Sequence, residues 1–342
     1  MRVGIVGAGA GAAALAHVID GATEAEIVVL EKSGGLCGRA ATRRRESVTY
    51  DYGANYLKDD DDRVVDLVTE TLDTEGLVDA SGPIWTFDGA GTVSEGRDAD
   101  DHKWTYGAGI TQVAKRLFGR TETTIHRETR VERLERDGDV WRLTDGDGER
   151  WGPFDRLVLN PPAPQTAALL RDARWCDPAC ERLAEAADEV EFASVWTAVL
   201  GYQFALDRAY YALVNVDDEH PIGWVAREEC KPGHVPDGES VLVVQAGHDW
   251  SAAWSETDAD EVVPDLVGKT AALLDDDRLR DPAWTDHQFW QYALPKSGIE
   301  RGATRGAEEH GLYVVGDWVA GEARLHAALR DGLDTGERLV HA

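Results

Sequence analysis

The first thirty or so residues combine apolar runs with a glycine-rich turn. Residues 2–6 form a short apolar run that is typical of a buried strand, and residues 12–19 are small and apolar, as in a closely packed helix. A second apolar run, residues 27–31, ends in the acidic Glu31. Since a strand, a helix and a second strand follow one another over this short stretch, the pattern predicts a βαβ unit.

The remaining pattern predicts strands and helices along the whole chain, without an internal repeat. Helices are predicted at residues 63–72 and 110–118, from Pro164 onward, and at about 323–339. Strands are predicted at residues 129–136, 139–144, 156–159, 195–204, 241–247 and 312–315. Residues 33–56 are expected to form an ordered loop, residues 84–102 are rich in turn signals, and the acidic run 59–62 is expected to cap the helix that follows it.

The segment from Gly7 to Ala12 matches the pattern G-x-G-x-x-G/A between the first strand and the first helix. Gly7 allows the tight turn, Gly9 lets the backbone approach a pyrophosphate, and Ala12 permits close packing of helix on strand. The helix N-terminus adds amide donors and a positive dipole. Glu31 follows at the distance where a carboxylate accepts from ribose hydroxyls. This element predicts a bound dinucleotide and leaves NAD and FAD both open.

Three further segments favour FAD over NAD as the bound dinucleotide. They are residues 32–44, residues 50–56 and residues 311–318. With these segments the chain resembles the renalase-like branch of the flavin amine oxidase superfamily. The resemblance extends loosely to residues 152–170 and 287–295, and it is strong over residues 1–56 and 311–335. The chain departs from the family at Cys37, where glycine is usual, and at Asn55, where glutamine is commoner. Cys37 adds a Cβ beside the expected pyrophosphate.

The resemblance implies an α/β fold. A Rossmann-like FAD-binding domain of the glutathione reductase type would comprise residues 1–56, 103–163 and 300–342. A mixed α+β substrate domain, residues 57–102 and 164–299, would be inserted into it. The chain has 342 residues, which is long enough for two domains.

The resemblance also implies how FAD is held. Arg39 would offset the pyrophosphate charge, Gly53 and Ala54 would bring backbone close to the flavin ring, and Val131 would present backbone to the adenine. Asp317 would accept from a ribityl hydroxyl, although an N-cap role is an alternative for this residue. The helix after Arg324 would direct its amides at the pyrimidine edge. The full predicted cofactor set is Gly7, Gly9, Gly11, Ala12, Glu31, Lys32, Gly38, Arg39, Gly53, Ala54, Val131, Gly316, Asp317 and Leu325.

On the substrate side, residues 287–295 are the best candidate. In a strand, alternation places His287, Phe289 and Gln291 on one face and Gln288, Trp290 and Tyr292 on the other. We expect Phe289 to pack in the core, while core and pocket positions are equally compatible with the other rings. The predicted catalytic set is His287, Trp290, Tyr292, Asn55 and Tyr56. Trp196, Trp224, Trp250, Trp254 and Trp284 stay unassigned between core and pocket.

The activity that the resemblance implies is oxidation of the 2- and 6-dihydro isomers of NAD(P)H to NAD(P)+, with O2 reduced to H2O2. Loss of hydride from such a substrate creates an aromatic cation, so little acid–base help is needed. One alternative is an amine oxidase that acts on small amines. Another is a flavin-holding binding or sensor protein with little catalysis.

Composition excludes several partners. Lys plus Arg is 35 against 64 Asp plus Glu, a net charge of −29, and such a surface repels nucleic acid and anionic lipid. The acid excess is spread along the chain and Lys is rarer than Arg, so we expect a protein from a halophile, with a high-salt cytoplasm.

The four cysteines and scattered histidines match no metal-site spacing. No apolar run reaches the ~18 residues of a membrane span, and the glycine-rich start is not expected to be a signal peptide. The sequence therefore predicts a cytoplasmic enzyme of unknown oligomeric state.

Overall fold

A computed structural model of the chain describes residues 1–96 and 101–342. The strands are β1 (Arg2–Val6), β2 (Glu26–Leu30), β3 (Thr42–Arg45), β4 (Val48–Asp51), β5 (Leu57–Lys58), β6 (Leu77–Asp79), β7 (Ile84–Phe87), β8 (Val93–Ser94), β9 (Lys103–Tyr106), β10 (Thr124–His126), β11 (Val131–Asp137), β12 (Val140–Asp145), β13 (Arg150–Phe154), β14 (Arg156–Leu159), β15 (Phe192–Tyr202), β16 (Ala212–Asn215), β17 (Ile222–Arg227), β18 (Ser240–Ala246), β19 (Trp284–Pro295) and β20 (Leu312–Val314). The helices are α1 (Ala10–Ala22), α2 (Asp62–Asp66), α3 (Gln112–Gly119), α4 (Ala163–Arg171), α5 (Pro178–Asp188), α6 (His248–Ala253), α7 (Ala259–Leu273), α8 (Arg301–Glu308), α9 (Asp317–Ala320) and α10 (Leu325–Val340).

The first sheet is parallel and follows the order β10-β2-β1-β14-β20. β1, α1 and β2 form the predicted βαβ unit, and the apolar residues of β1, β2, β14 and β20 are buried, as in parallel strands covered on both faces. β14, from the middle of the chain, pairs with β1, and β20, from the C-terminal part, pairs with β14. The predicted α/β, Rossmann-like fold class is confirmed.

The helix α10 lies directly on α1. A Cβ at Gly332 of α10 would lie 2.2 Å from the carbonyl oxygen of Gly11, so only glycine permits this approach. The contact places the N-terminus of α10 beside the glycine-rich turn, so the N-termini of α1 and α10 lie in the same region. Over the part of the chain that the structure describes, we find no helix with the length and apolar character needed to span a bilayer.

The second large sheet follows the order β19-β15-β18-β17-β16-β7-β8 and is antiparallel except where β16 runs beside β7. One face packs against α7 through side chains such as Leu266 and Leu242. The opposite face packs against β4, where Val199 and Val243 meet Val48 and Tyr50. This second face therefore looks toward the segment that follows β4, residues 52–56.

Several predicted boundaries were wrong for identifiable reasons. Residues 33–56 include the hairpin β3–β4, which was missed because β3 carries a run of arginines instead of apolar alternation. The segment 84–102 contributes β7 and β8 to the large sheet, while its residues 97–100 lie outside the described part of the chain. Asp61 caps α2 as predicted, by accepting from Val64 N, but the helix continues as a π-helical turn over Leu67–Thr71.

Candidate active site

The glycine-rich turn has the geometry that its pattern predicts. Gly7 has a φ of +90°, a conformation that favours glycine, and its N–H donates to Leu30 O at 2.8 Å. Gly9 N donates to Asn160 Oδ1 at 2.9 Å, and a Cβ at Gly9 would lie 2.3 Å from that oxygen. Asn160 therefore lies so close to the turn that only glycine fits at position 9.

The N-terminus of α1 offers unused donors. Within residues 1–96 and 101–342, the amides of Gly11 and Ala12 have no hydrogen-bond acceptor, and the first turn of the helix carries no acidic side chain. Gly9, at the N-cap, supplies no capping side chain either. Free amides and an uncompensated helix dipole stabilise an anionic group such as a pyrophosphate.

Glu31 is pinned beside the turn. Its Oε2 accepts from Ala8 N at 2.7 Å, and its Oε1 accepts from Ser33 N at 2.8 Å and Ser33 Oγ at 2.7 Å. Because an ionised carboxylate has about four acceptor sites, one remains for a ribose hydroxyl. The backbone of Glu31 also accepts from Thr129 N at 2.8 Å, which brings Val131, at the start of β11, near the same place.

Arg39 and Asp317 bind each other, although 278 positions separate them in the sequence. The guanidinium donates in a fork, from Nη2 to Oδ1 at 2.6 Å and from Nη1 to Oδ2 at 3.0 Å. Oδ1 also accepts from Trp318 N at 2.9 Å, so the alternative capping role of Asp317 is combined with the pairing. The two predicted cofactor residues thus meet at one point, with a cation available for phosphate and a carboxylate available for hydroxyls.

The residues around this turn fit the ADP half of FAD. Gly38 has a φ of +59°, and a Cβ there would lie 3.6 Å from Gly9 Cα, so two glycine backbones line the approach. Cys37 also has a positive φ, +79°, which explains why glycine suits that position. Its thiol is buried in the core, where burial raises its pKa to about 12. The side chain of Cys37 therefore points into the core.

The remaining predicted cofactor residues make fewer contacts in this region. Lys32 is exposed, with Nζ 3.5 Å from Gln165 Oε1. Leu325 begins α10 and packs against the core beside α1. Gly316 has a φ of +144°, and its N–H donates to Asp331 Oδ2 at 2.8 Å. Gly316 therefore fixes the turn between β20 and Asp317.

Gly53 is the point where the glycine-rich half meets the large sheet. A Cβ on this residue would lie 1.8 Å from Arg39 O and 3.3 Å from Trp290 Cζ2, so no larger residue fits. Gly53 O accepts from Asn55 Nδ2 at 3.1 Å and from Gln245 Nε2 at 2.8 Å. The Ala54 N–H donates to Arg39 O at 3.0 Å. The backbone of residues 53 and 54 is therefore held by Gln245 and by Arg39.

Four neighbouring strands of the large sheet present one row of side chains toward Gly53. Gln288 of β19 pairs with Thr197 of β15, Thr197 with Gln245 of β18, and Gln245 with Trp224 of β17. Residues that face each other across neighbouring strands share a face of the sheet. We call these four side chains the polar row. None of them is ionisable.

Aromatic rings enclose the polar row. Trp290 stacks on Tyr52 with ring centroids 5.4 Å apart, and its Nε1 donates to Tyr52 O at 3.2 Å. On the other side, the Tyr56 ring lies 6.4 Å from Trp224 and 6.2 Å from Tyr211. Burial raises the pKa of Tyr56, and the charge of Arg324 opposes that rise only in part, so the phenol is neutral at physiological pH. These rings and the polar row together form the aromatic cleft.

The aromatic cleft holds polar atoms without partners. Among the described residues, the atoms Asn55 Oδ1, Thr197 Oγ1 and Trp224 Nε1 are buried and make no hydrogen bond. A buried polar atom left unpaired costs about 1–3 kcal/mol. Such a group of donors and acceptors on one cleft is suited to a ligand that pairs with them.

The structure separates the predicted substrate residues. Trp290, Asn55 and Tyr56 lie around the cleft. His287 does not: it is exposed on the opposite face of β19, where its ring lies 6.2 Å from Trp196, so the structure does not bring it together with these three residues. Phe289 packs in the core behind the same face, as expected.

Tyr292 lies farther along β19, beyond an irregularity in the pairing with β15. Its ring packs edge-on against Phe192 with centroids 5.9 Å apart. Arg39 Nη1 donates to the neighbouring Ala293 O at 2.8 Å. Tyr292 is therefore nearer to the Arg39–Asp317 pair than to the polar row.

Sequence reasoning missed Thr197 and Gln245 and left Trp224 unassigned. Threonine and glutamine in apolar strands carry no signal of their own, because their significance depends on strand register. Their alternation along β15 and β18 predicts a face but not what lies opposite it.

The chain belongs to the family of flavin-containing amine oxidoreductases, whose model matches residues 91–340. Residues 5–71 match the NAD(P)-binding Rossmann-like domain. The protein is thus an FAD-dependent oxidoreductase that acts on a small-molecule substrate.

Solved structures share the fold over nearly the whole chain. A putative protoporphyrinogen oxidase from Exiguobacterium sp. 255-15 aligns with a TM-score of 0.81 at 15% identity, covering 99% of this chain and 98% of that one. Wild-type putrescine oxidase bound to putrescine aligns at 0.75 and 13% identity, covering 100% of both chains. Reduced UDP-galactopyranose mutase aligns at 0.79 and 11% identity, covering 99% and 94%. Such distant likeness shows the fold alone, so the substrate has to be argued from the cleft.

Proposed function

We propose that this protein is a renalase-like oxidase that converts 2- and 6-dihydro isomers of NAD(P)H to NAD(P)+, with O2 reduced to H2O2. In this proposal residues 1–56, 103–163 and 300–342 hold FAD, and residues 57–102 and 164–299 hold the substrate. FAD, when bound, supplies a ring that takes a hydride from the substrate and passes the two electrons to O2. One proton is consumed for each H2O2 formed.

The cofactor would be held by the groups described above. The free amides of Gly11 and Ala12 and the guanidinium of Arg39 face the charge of the pyrophosphate. Glu31 takes a ribose hydroxyl and Asp317 a ribityl hydroxyl. The first amides of α10, at Leu325, add positive potential to the region.

The observation that carries the substrate proposal is the set of unpaired polar atoms in the aromatic cleft. A nicotinamide ring is planar and bears a carboxamide, which offers donors and an acceptor together. Asn55 Oδ1 accepts, Trp224 Nε1 donates and Thr197 Oγ1 does either. The ring itself suits an aromatic wall such as Trp290.

The same cleft is poorly matched to a cationic amine. The polar row contains two glutamines, a threonine and a tryptophan, and thus no carboxylate to pair with an ammonium group. Asp286, on the same strand as Gln288, is bound to Arg43 at 2.9 Å and to Tyr50 Oη at 2.6 Å. The proposed reaction needs no base, because hydride loss directly yields the aromatic nicotinamide cation.

The proposal is tested by steady-state oxidation with purified donors. H2O2 and NAD+ should form together from 2- or 6-dihydro NAD(P), and neither should form from the ordinary 4-dihydro isomer. Putrescine and cyclohexylamine serve as the amine panel. Turnover of an amine without turnover of any dihydronicotinamide would replace the proposal with an amine oxidase, and an inert enzyme with every donor would favour a flavin-holding protein.

Thr197→Val tests the role of the polar row. Loss of one hydrogen bond to the carboxamide, about 0.5–1.5 kcal/mol, should raise KM about 2- to 10-fold. Thr285→Val, at an exposed position of β19, is the matched control and should leave KM unchanged. Equal KM values for both variants would remove Thr197 from the site.

A further inference from the structure

A cluster of charged side chains lies inside the molecule and is used by none of the roles described so far. Asp51, Glu228, Lys231 and His234 all have 0% side-chain exposure. Asp51 ends β4, whereas the other three lie in the turn between β17 and β18. We call these four residues the buried ion cluster.

The two carboxylates share the charge of Lys231. Its Nζ donates to Asp51 Oδ2 at 3.1 Å and lies 2.7 Å from Glu228 Oε1, the latter an ion contact without hydrogen-bond geometry. Burial alone would lower the pKa of Lys231, but the two carboxylates raise it above its ordinary value. The pKa of Glu228 is lowered, because Lys231 and His234 outweigh the effect of burial.

The ring of His234 is held at both of its nitrogens. Its Nδ1 lies 2.8 Å from Glu228 Oε2, and its Nε2 lies 2.9 Å from Tyr106 O. Glu228 Oε2 also accepts from Asp51 N at 3.0 Å. The ring therefore joins Glu228 to the backbone of Tyr106, and Glu228 is in turn joined to the backbone of Asp51.

Ligand atoms of Asp51, Glu228 and His234 lie within 4.8 Å of one another, as in a metal site. The ammonium of Lys231 contacts two of these three residues, so it already occupies the place of a cation. These contacts assign the cluster an internal structural role.

The buried ion cluster holds the chain just before Gly53. Asp51 Oδ1 accepts from Thr42 Oγ1 at 2.6 Å and from Ile110 N at 2.9 Å, and Thr49 N donates to His234 O at 2.7 Å. β4 is therefore bound along its length by the turn that carries Glu228. Two residues later, Gly53 O receives the amide of Gln245 from the polar row.

We propose that the buried ion cluster consists of positioning residues, which hold the backbone of residues 52–54 against the polar row and so set the shape of the aromatic cleft at the flavin. The inference rests on the proposed placement of Gly53 beside the flavin. Tyr211, buried beside Lys231 and edge-on to Tyr56, links the cluster to the cleft wall.

Two variants test this role. Glu228→Gln keeps the shape of the side chain and removes one charge, and Lys231→Met removes the shared cation. Leu266→Ala, on α7 behind the opposite face of the sheet, is the control for a general loss of stability. All measurements are made at a temperature where each variant is fully folded by circular dichroism.

The first readout is amide hydrogen exchange of residues 48–56 in the FAD-free chain. We expect exchange at least tenfold faster in Glu228→Gln and Lys231→Met and unchanged in Leu266→Ala. The second readout is the visible spectrum of added FAD, which should shift in the two cluster variants only. Unchanged exchange and spectrum, or equal changes in Leu266→Ala, would overturn the proposal. Neither readout depends on the substrate, so failure of the proposed oxidase activity would leave them intact.

Discussion

Replacing Lys231 by methionine should destabilise the protein far more than its two contacts would at the surface. The ammonium lies 2.7 Å from Glu228 and 3.1 Å from Asp51, and all three side chains have 0% exposure. Methionine fills a similar volume but leaves the two buried carboxylates without the ammonium that they share. Breaking a buried ion pair from one side costs about 3–5 kcal/mol, out of about 5–15 kcal/mol for a typical protein.

Lys58→Met is the matched control. Lys58 contacts Asp60 at 2.7 Å, but the two side chains are 36% and 41% exposed, so the loss should stay below about 1 kcal/mol. The free energy of unfolding is measured by urea denaturation in fixed KCl, from pH 8 down to pH 3. The reasoning would be refuted by values for the two variants that lie within about 1 kcal/mol of each other.

The deficit of Lys231→Met should also depend on pH. In the parent, the pKa of Glu228 is lowered, against the effect of burial, by Lys231 and His234. The stability from this shift is present above the unfolded value of about 4.3 and is lost as the pH falls through the lower folded value. The variant lacks much of it, so its deficit should be constant from neutral pH down to about pH 4.3 and should shrink as the pH falls below that value. A deficit that grows in acid would contradict this sign.

Three further predictions concern other parts of the molecule. Burial raises the pKa of Asp331 to about 7, so its contribution to stability is lost as the pH rises from about 4 through 7. Asp331→Asn should therefore raise the Tm at pH 8, and this gain in Tm should shrink toward pH 4. An equal gain in Tm at pH 8 and pH 4 would contradict this prediction. Gly53→Ala should weaken FAD binding at least tenfold, because its Cβ would lie 1.8 Å from Arg39 O, whereas Gly35→Ala, with no atom within 4 Å, should bind FAD normally in the same titration. With a net charge of −29, the parent should show a higher Tm in molar KCl than at low salt, and a flat Tm would argue against adaptation to high salt.

Local features of the fold were predictable because nearby residues decide them. The turn from Gly7 to Ala12 needs a positive φ at Gly7 and the absence of a side chain at Gly9, and glycine meets both requirements. Glu31 follows at the end of β2, where the parallel pairing with β1 brings it to the same sheet edge. The FAD-binding end of the site could therefore be predicted from the sequence of the first thirty or so residues.

The aromatic cleft was not readable in the same way, because it depends on the register of four strands. Thr197 and Gln245 become neighbours only when β15 pairs with β18. Alternation correctly placed His287 and Trp290 on opposite faces of β19, but it did not say which face meets residues 52–56.

The buried ion cluster was hidden for a related reason. Histidines far apart in the sequence offered no metal spacing, so His234 was set aside. Its contacts come from Glu228 six residues earlier and from Tyr106, 128 positions away. A charge pattern spread over such separations has no periodic signature, and only the tertiary structure reveals it.

A single anaerobic mixing experiment distinguishes a dihydronicotinamide oxidase from an amine oxidase. The FAD-loaded protein is mixed in molar KCl with borohydride-reduced NAD, resolved into its 2-, 4- and 6-dihydro isomers, and the visible flavin bands are followed. We expect rapid bleaching with the 2- or 6-dihydro isomer and none with the 4-dihydro isomer. Flavin that stays oxidised with all three isomers, and bleaches instead with a small amine, would contradict the proposed function.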